Sequence, residues 1–177
     1  LFSGPTGSGK STLMYRLASA AAGQVITIED PVEIVEPRFL QLQTNPMIGQ
    51  DYDELIRLSL RHRPELLLIG EIRNKETAKA AIRAALTGHR VFATIHARGL
   101  TETIARLQEL TEEAAVIDQC LQGIIYQRLL PDLHGVPHAL MAYTFYEPHK
   151  SSMTWDQALT RIREKEQITH EVFDKEK

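Results

Sequence analysis

Cysteine is almost missing: Cys120 stands alone among 177 residues. One thiol builds neither a disulfide framework nor a four-cysteine zinc cluster, and its apolar surroundings mark it as a structural, inert group. Excess charge is missing too. A net charge of −3 leaves no strongly basic surface to draw in nucleic acid. No apolar run approaches the ~20 residues of a membrane helix, and no secretory leader opens the chain, so the expectation is a soluble, cytoplasmic protein. Internal repeats and low-complexity tracts are lacking as well. At 43% hydrophobic over this length, the chain suffices for one well-buried core and not two. It carries no initiator Met, and its first motif begins after three residues where a strand of ~5–6 is expected. That is the look of a piece cut from a longer protein.

What is present is a phosphate loop. Gly4-Pro5-Thr6-Gly7-Ser8-Gly9-Lys10-Ser11-Thr12 satisfies G-x-x-x-x-G-K-[ST], with Gly7 as an extra glycine inside it. A polyphosphate needs several backbone N–H groups aimed at one place, and glycine lets the backbone come that close. Lys10 brings a mobile positive charge for the terminal phosphates, and the Ser11 hydroxyl is placed for a magnesium ion. The following helix turns its unsatisfied N-terminal amides on the same anion. That helix is predicted from Lys10 to Ala22, with Leu13, Leu17, Ala18 and Ala21 on one face and Gly23 just past its end.

Short apolar runs then alternate with helical patterns, which predicts an α/β domain with a mostly parallel sheet flanked by helices. The runs 25–28, 66–69 and 91–95 suit strands covered on both faces. They end at Glu29-Asp30-Pro31, at Gly70-Glu71-Ile72-Arg73 and at His96. Ligands of open α/β sheets lie outside the carboxyl ends of the strands, so loop and polar strand ends are expected at one edge. Between them, helices are predicted over 52–60 and 74–86, the second capped by Asn74, with Ala78, Ala81, Ile82 and Ala85 on its buried face. Ile117, Leu121, Ile124 and Ile125 predict a helix stopped by Pro131, and 139–145 a late strand. Thr154-x-x-Gln157 predicts a capping box for a last helix through Ile162, followed by a charged tail that frays. The expected division is a core over 1–150 and a helix with its tail over 151–177.

Each polar candidate has a chemical and a plain reading. Glu71 stands where an NTPase needs an acid beside magnesium to polarise the attacking water; it can also cap or simply be solvated. Glu29 and Asp30 form a second acidic strand end, or turn acids before Pro31. Arg73 binds phosphate or pairs with an acid. His89 and His96 can meet a γ-phosphate, bridge to a neighbouring subunit, or sit as hydrogen-bonded histidines at a strand margin. His134 and His138 have the spacing of a helical metal pair, but Gly135 and Pro137 forbid that helix. His62, His149 and His170 read as solvated.

Four motifs stand in a familiar order: the loop at 4–12, Thr27-Ile28-Glu29-Asp30-Pro31-Val32-Glu33, Leu60-Arg61-His62-Arg63-Pro64-Glu65 leading into Ile69-Gly70-Glu71-Ile72-Arg73, and Leu86-Thr87-Gly88-His89 through Thr94-Ile95-His96-Ala97. Over about residues 1–130 the chain resembles the type II/type IV secretion superfamily of traffic ATPases. The resemblance implies a RecA-like, Mg-ATP-hydrolysing C-terminal domain of a hexameric motor, cytoplasmic and peripheral at the inner face of the membrane. There it would act on a membrane platform protein, with no direct nucleic-acid contact. It implies Walker A at Gly4–Thr12, an Asp box starting at Glu29 with that residue orienting water, a Walker B glutamate at Glu71, and His-box residues at His89 and His96. It also implies an N-terminal domain, outside these residues, that closes over the nucleotide and supplies arginines. Asn74 departs from the Asp usual there, and no zinc module is possible, which favours a competence-type pseudopilus assembly motor or a retraction motor. The wording of residues 60–64 resembles Gram-positive competence members. Two rivals remain on the residues alone: a DNA translocase, disfavoured by the acidic balance, and a scaffold that binds ATP without hydrolysing it, disfavoured by the two acids.

Overall fold

Runs too short for helices and apolar on both faces form the middle of an eight-stranded sheet. The computed structural model describes residues 1–177. In chain order the elements are β1 (Phe2–Ser3), α1 (Lys10–Ala18), β2 (Val25–Glu29), β3 (Leu40–Gln43), α2 (Tyr52–Ser59), β4 (Leu66–Ile69), α3 (Lys75–Leu86) and β5 (Val91–Ile95). Then follow α4 (Leu100–Thr111), α5 (Ala114–Cys120), β6 (Gly123–Pro131), β7 (Pro137–Phe145), β8 (Ser151–Met153), α6 (Trp155–Glu164) and α7 (His170–Glu176). The spatial order is β3-β2-β4-β5-β1-β6-β7-β8. Neighbours from β3 through β6 are parallel, and β7 and β8 add antiparallel strands at one edge. The α/β class with a mostly parallel sheet is as the sequence predicts.

Alternation along the strands builds two layers of core. Ile26, Ile28, Leu67, Ile69, Ala93 and Ile95 face one way, toward α2, α3, α4 and α5. Val25, Leu66 and Leu68 face the other, with Met14, Tyr15 and Ala18 of α1. A fully buried aliphatic side chain stabilises by about 1.5–3 kcal/mol, so these layers fix where the strand ends stand. The helix over 75–86 begins as predicted, with the Asn74 side chain accepting from the Thr77 amide. Its buried face is rotated slightly, to Thr77, Ala78, Ala80, Ala81 and Ala84.

Several local expectations are corrected. α1 ends at Ala18 rather than Ala22 and buries Met14 and Tyr15, while Leu17 is exposed. Ile124 and Ile125 lie in β6, not in a helix. α5 stops at Cys120 because Leu121 turns extended, and Ile124, Tyr126 and Leu130 then keep the two-residue period of a strand. The sequence reading lacked both β3 and α4. The tail does not fray entirely: α7 packs on α6, burying Ile168 and Phe173 with Leu130, Leu140, Ala158 and Leu159 in a third cluster. The Thr154–Gln157 capping box is present in both directions.

Candidate functional site

β1 is flanked by β5 on one side and β6 on the other, and the loop after it opens where the chain's winding about the sheet reverses. Gly9 holds the loop's last turn with φ 83°, a left-handed conformation glycine adopts without strain, and stands as N-cap of α1 with no capping side chain. The first-turn amides are thus left for a ligand. Ser8 and Lys10 are buried; Ser11 is half-buried; Pro5, Thr6, Gly7 and Thr12 are exposed. Lys10 Nζ bends back over the loop and donates to the carbonyls of Gly4 (3.1 Å) and Pro5 (2.9 Å). Burial lowers the Lys10 pKa, and the negative charge of Glu71 acts in the opposite direction.

The residue after Gly70 at the end of β4 is Glu71, whose side chain is 18% exposed. It accepts from Arg73 Nε at 2.6 Å and lies 3.2 Å from His96 Nε2. The other ring nitrogen of His96, Nδ1, lies 3.2 Å from the Gly4 carbonyl. Both partners are acceptors, so a ring N–H of His96 donates to whichever of them it faces. Arg73 continues the line, with Nη1 3.8 Å from Asp30, and the adjacent Glu71 raises the Arg73 pKa. The turn is pinned where the Ile72 amide donates to the Thr94 carbonyl (2.8 Å) and the Thr94 hydroxyl to the Gly70 carbonyl (2.5 Å). Gly4, His96, Glu71, Arg73 and Asp30 therefore form one contact chain across the carboxyl edge of the sheet.

Glu29 ends β2 and is buried at 7% exposure. Its Oε1 accepts from the Tyr15 hydroxyl, from Thr27 Oγ1 at 2.6 Å and from Gln41 Nε2 at 3.4 Å; Oε2 takes none of the three. Burial, and then Glu29, raise the Tyr15 pKa. Tyr52 samples the whole cluster. Burial first, then Asp30, with smaller contributions from Glu71 and Glu29 and opposition from Arg73, push its hydroxyl up to about 12.

His89 is not brought to this edge. It precedes β5 while His96 follows it, seven residues or about 20 Å apart along an extended strand. His89 bonds Thr87 Oγ1 and lines a cavity of about 640 Å³ at the opposite, amino edge, with Phe2, Phe92 and Phe145. His134 and His138 flank the β6–β7 turn, where His138 pairs with Asp132 at 3.0 Å. No group of three metal-ligating side chains forms there or elsewhere. His62, His149 and His170 are exposed.

Tyr15, Gln41 and Gln127 went unread in the sequence as site residues. Gln127, 4% exposed on β6, donates through Nε2 to the Ser8 carbonyl of the loop. A signal existed for it: an amide among the apolar residues of the 123–131 run. For Tyr15 the only hint was its position one turn past Ser11.

The comparisons agree with this architecture. The family model described as "Type II/IV secretion system protein" matches residues 1–169. Competence protein ComGA of Streptococcus pneumoniae is 50% identical over 164 residues, 90% of this chain and 51% of that protein. ComGA of Bacillus subtilis is 41% identical over 134 residues, covering 73% and 38%. The chain thus spans about half the length, or less, of these curated relatives. Among solved structures, the pilus retraction motor PilT with bound ADP superposes with a TM-score of 0.87 at 29% identity, over 99% of this chain and 60% of that chain, and the ATPase DotB of Legionella pneumophila with a TM-score of 0.83 at 26% identity, over 98% and 58%. On the match over nearly its whole length, this chain belongs to the type II/IV secretion system protein family.

Proposed function

We propose that this chain is the ATP-hydrolysing motor domain of a machine that assembles a pilus or pseudopilus, for DNA uptake or type II secretion. The observation that carries the reading is the contact chain from the phosphate loop through His96 to Glu71, which joins an anion cradle to an acid from a separate strand. Loop amides at 6–9 and Lys10 hold the phosphates; Lys10 does so by exchanging its two carbonyl partners for phosphate oxygens. Mg²⁺ fits the donor set, since it needs only one or two protein oxygens beside phosphate and water, and Ser11 and Glu71 supply them. When bound it neutralises charge developing on the phosphates. Glu71 and Glu29 orient the attacking water, His96 carries a donor to the loop, and Arg73 balances the acids. His89 lies outside this intrachain site, and contact with a neighbouring subunit is the role consistent with its edge of the sheet.

In this reading residues 1–150 form the RecA-like core, and 151–177 add the edge strand β8 and the helices α6 and α7. The working assembly is a hexamer at the cytoplasmic face of the membrane, pushing on a platform protein, without direct nucleic-acid contact. No helix here is long and apolar enough to cross a membrane. Competence relatives at 41–50% identity favour assembly over retraction.

The test separates binding from turnover. Lys10→Ala is expected to abolish ATP binding, and Glu71→Gln to retain it within a few fold while turnover falls by roughly 10²–10³, the cost of one well-placed polar group. Equal loss of binding in both variants would refute the division of roles.

A further inference from the structure

The phosphate loop rests directly on β6. Pairing of Ser3 with Tyr126 brings the first loop residue alongside Gln127. A Cβ at Gly4 would collide with the Gln127 carbonyl oxygen, and one at Gly9 would stand 2.8 Å from Gln127 Nε2. Between these two points the amide of Gln127 clamps the Ser8 carbonyl. Three loop residues thus bear on a single side chain and its backbone. The arrangement is costly, because the Oε1 of Gln127 and the hydroxyl of Ser8 are both buried without a hydrogen-bond partner. An apolar side chain of equal size would carry less of that cost, so packing alone does not account for an amide here.

β6 is also held rigidly from its far face. Tyr126 and Arg128, the flanking residues, turn to the other side of the sheet. Tyr126 packs edge-on to Trp155 with centroids 5.3 Å apart, and Arg128 pairs with Glu176 at 2.5 Å. The Trp155 indole donates to the Glu176 carbonyl at 3.0 Å. A side chain that must fix the shape of a loop is best mounted on an element locked in this way.

We propose that Gln127 is a positioning residue for the bound nucleotide: its carboxamide, fastened to Ser8, sets the curvature of residues 4–9 so that the amides of residues 6–9 converge on the phosphates. The inference rests on reading Gly4–Thr12 as the phosphate loop of an ATPase. Because the loop holds phosphate alike in the ground and transition states, losing the clamp weakens binding more than chemistry.

The experiment compares wild type with Gln127→Met and Gln127→Glu in the full chain; both keep the size and remove the N–H donor. Amide hydrogen exchange of residues 6–9, measured without nucleotide, is expected to accelerate roughly tenfold in both variants, with β2 and β4 unchanged. KM for ATP is expected to rise roughly tenfold while kcat stays within about twofold. A merely structural role would instead lower the active fraction, reducing apparent kcat at constant KM. Unchanged loop exchange in either folded variant overturns the proposal, as does a fall in kcat with KM unmoved. Faster loop exchange in the variants, together with a wild type that binds no ATP, would leave the clamp standing and overturn the ATPase reading instead.

Discussion

Removing one oxygen atom, in Tyr15→Phe, tests how the acid at the end of β2 is held. The Tyr15 hydroxyl is one of three donors to Glu29 Oε1, in a site where the phenol is 6% and the carboxylate 7% exposed. A hydrogen bond to a charged acceptor contributes about 1.5–3 kcal/mol net. Gln41 Nε2 divides its two hydrogens between the Ile34 carbonyl and the Tyr15 hydroxyl, both at 2.8 Å, so the change also removes this second bond, and the hydrogen it releases offsets only part of the loss by turning to Glu29 Oε1 from 3.4 Å. Phe is expected to destabilise the fold by about 2 kcal/mol, which for a domain of this size lowers Tm by roughly 4–8 °C. Urea denaturation of Tyr15→Phe, Glu29→Gln and the double variant supplies the cycle. If the hydroxyl acts through the carboxylate, the cost of Tyr15→Phe drops to about 1 kcal/mol in the Glu29→Gln background, the value of a neutral pair. A cost below about 0.5 kcal/mol in wild type, or full additivity in the double variant, would show that the hydroxyl does not hold Glu29.

Two further outcomes follow from burial and charge. Phe173→Ala in α7 is expected to destabilise by about 3 kcal/mol, because Phe173 packs beneath Arg163 in the cluster with Leu159 and Ile168; a value near zero by urea titration would return the tail to a frayed segment. Stability is also expected to fall in alkali. The folded-state pKa of Tyr52 is raised to about 12 and that of Tyr15 is raised as well, so their contribution is complete below the unfolded value near 10. It is lost as pH climbs through the folded values. Tyr15→Phe with Tyr52→Phe should flatten that slope, and an unchanged alkaline slope in the double variant would contradict it.

The strand ends were legible because three features coincide in sequence: an unbroken apolar run, a polar residue at its end, and a loop motif that says where the sheet's carboxyl edge must be. Helix α4 was hidden because two of its buried positions are Thr103 and Thr111, whose hydroxyls bond backward to the carbonyls of Gly99 and Leu107, so polar letters occupy an apolar face. β6 was ambiguous for a different reason. Ile117, Leu121, Ile124 and Ile125 satisfy a helical period across the very break that Leu121 and Gly123 introduce, and only pairing with β1 and β7 decides it. The polar partners were out of reach altogether. Gln127 meets Ser8 across 119 residues, and Gln41 reaches Glu29 from an edge strand whose four residues barely register as a pattern.

The Gly4 carbonyl is where these pieces bear on one another. It accepts from Lys10 Nζ at 3.1 Å and faces His96 Nδ1 at 3.2 Å, and the far nitrogen of that ring faces Glu71. A carbonyl has two lone pairs, so the ammonium and a His96 Nδ1–H are accommodated at once, but they are not independent. Drawing the ammonium toward phosphate frees one lone pair and removes a positive charge from beside the oxygen, which strengthens its hold on the imidazole. The ring then keeps Glu71 at its station while Lys10 moves. In the proposed function, this couples Lys10 as the phosphate-binding charge to Glu71 as the water-directing acid, 61 residues apart in sequence, through one backbone oxygen. His96→Asn or His96→Ala should uncouple them, sparing ATP affinity within a few fold while turnover falls by roughly 10–10². Parallel losses of affinity and turnover in both variants would place His96 in simple phosphate binding and break the coupling.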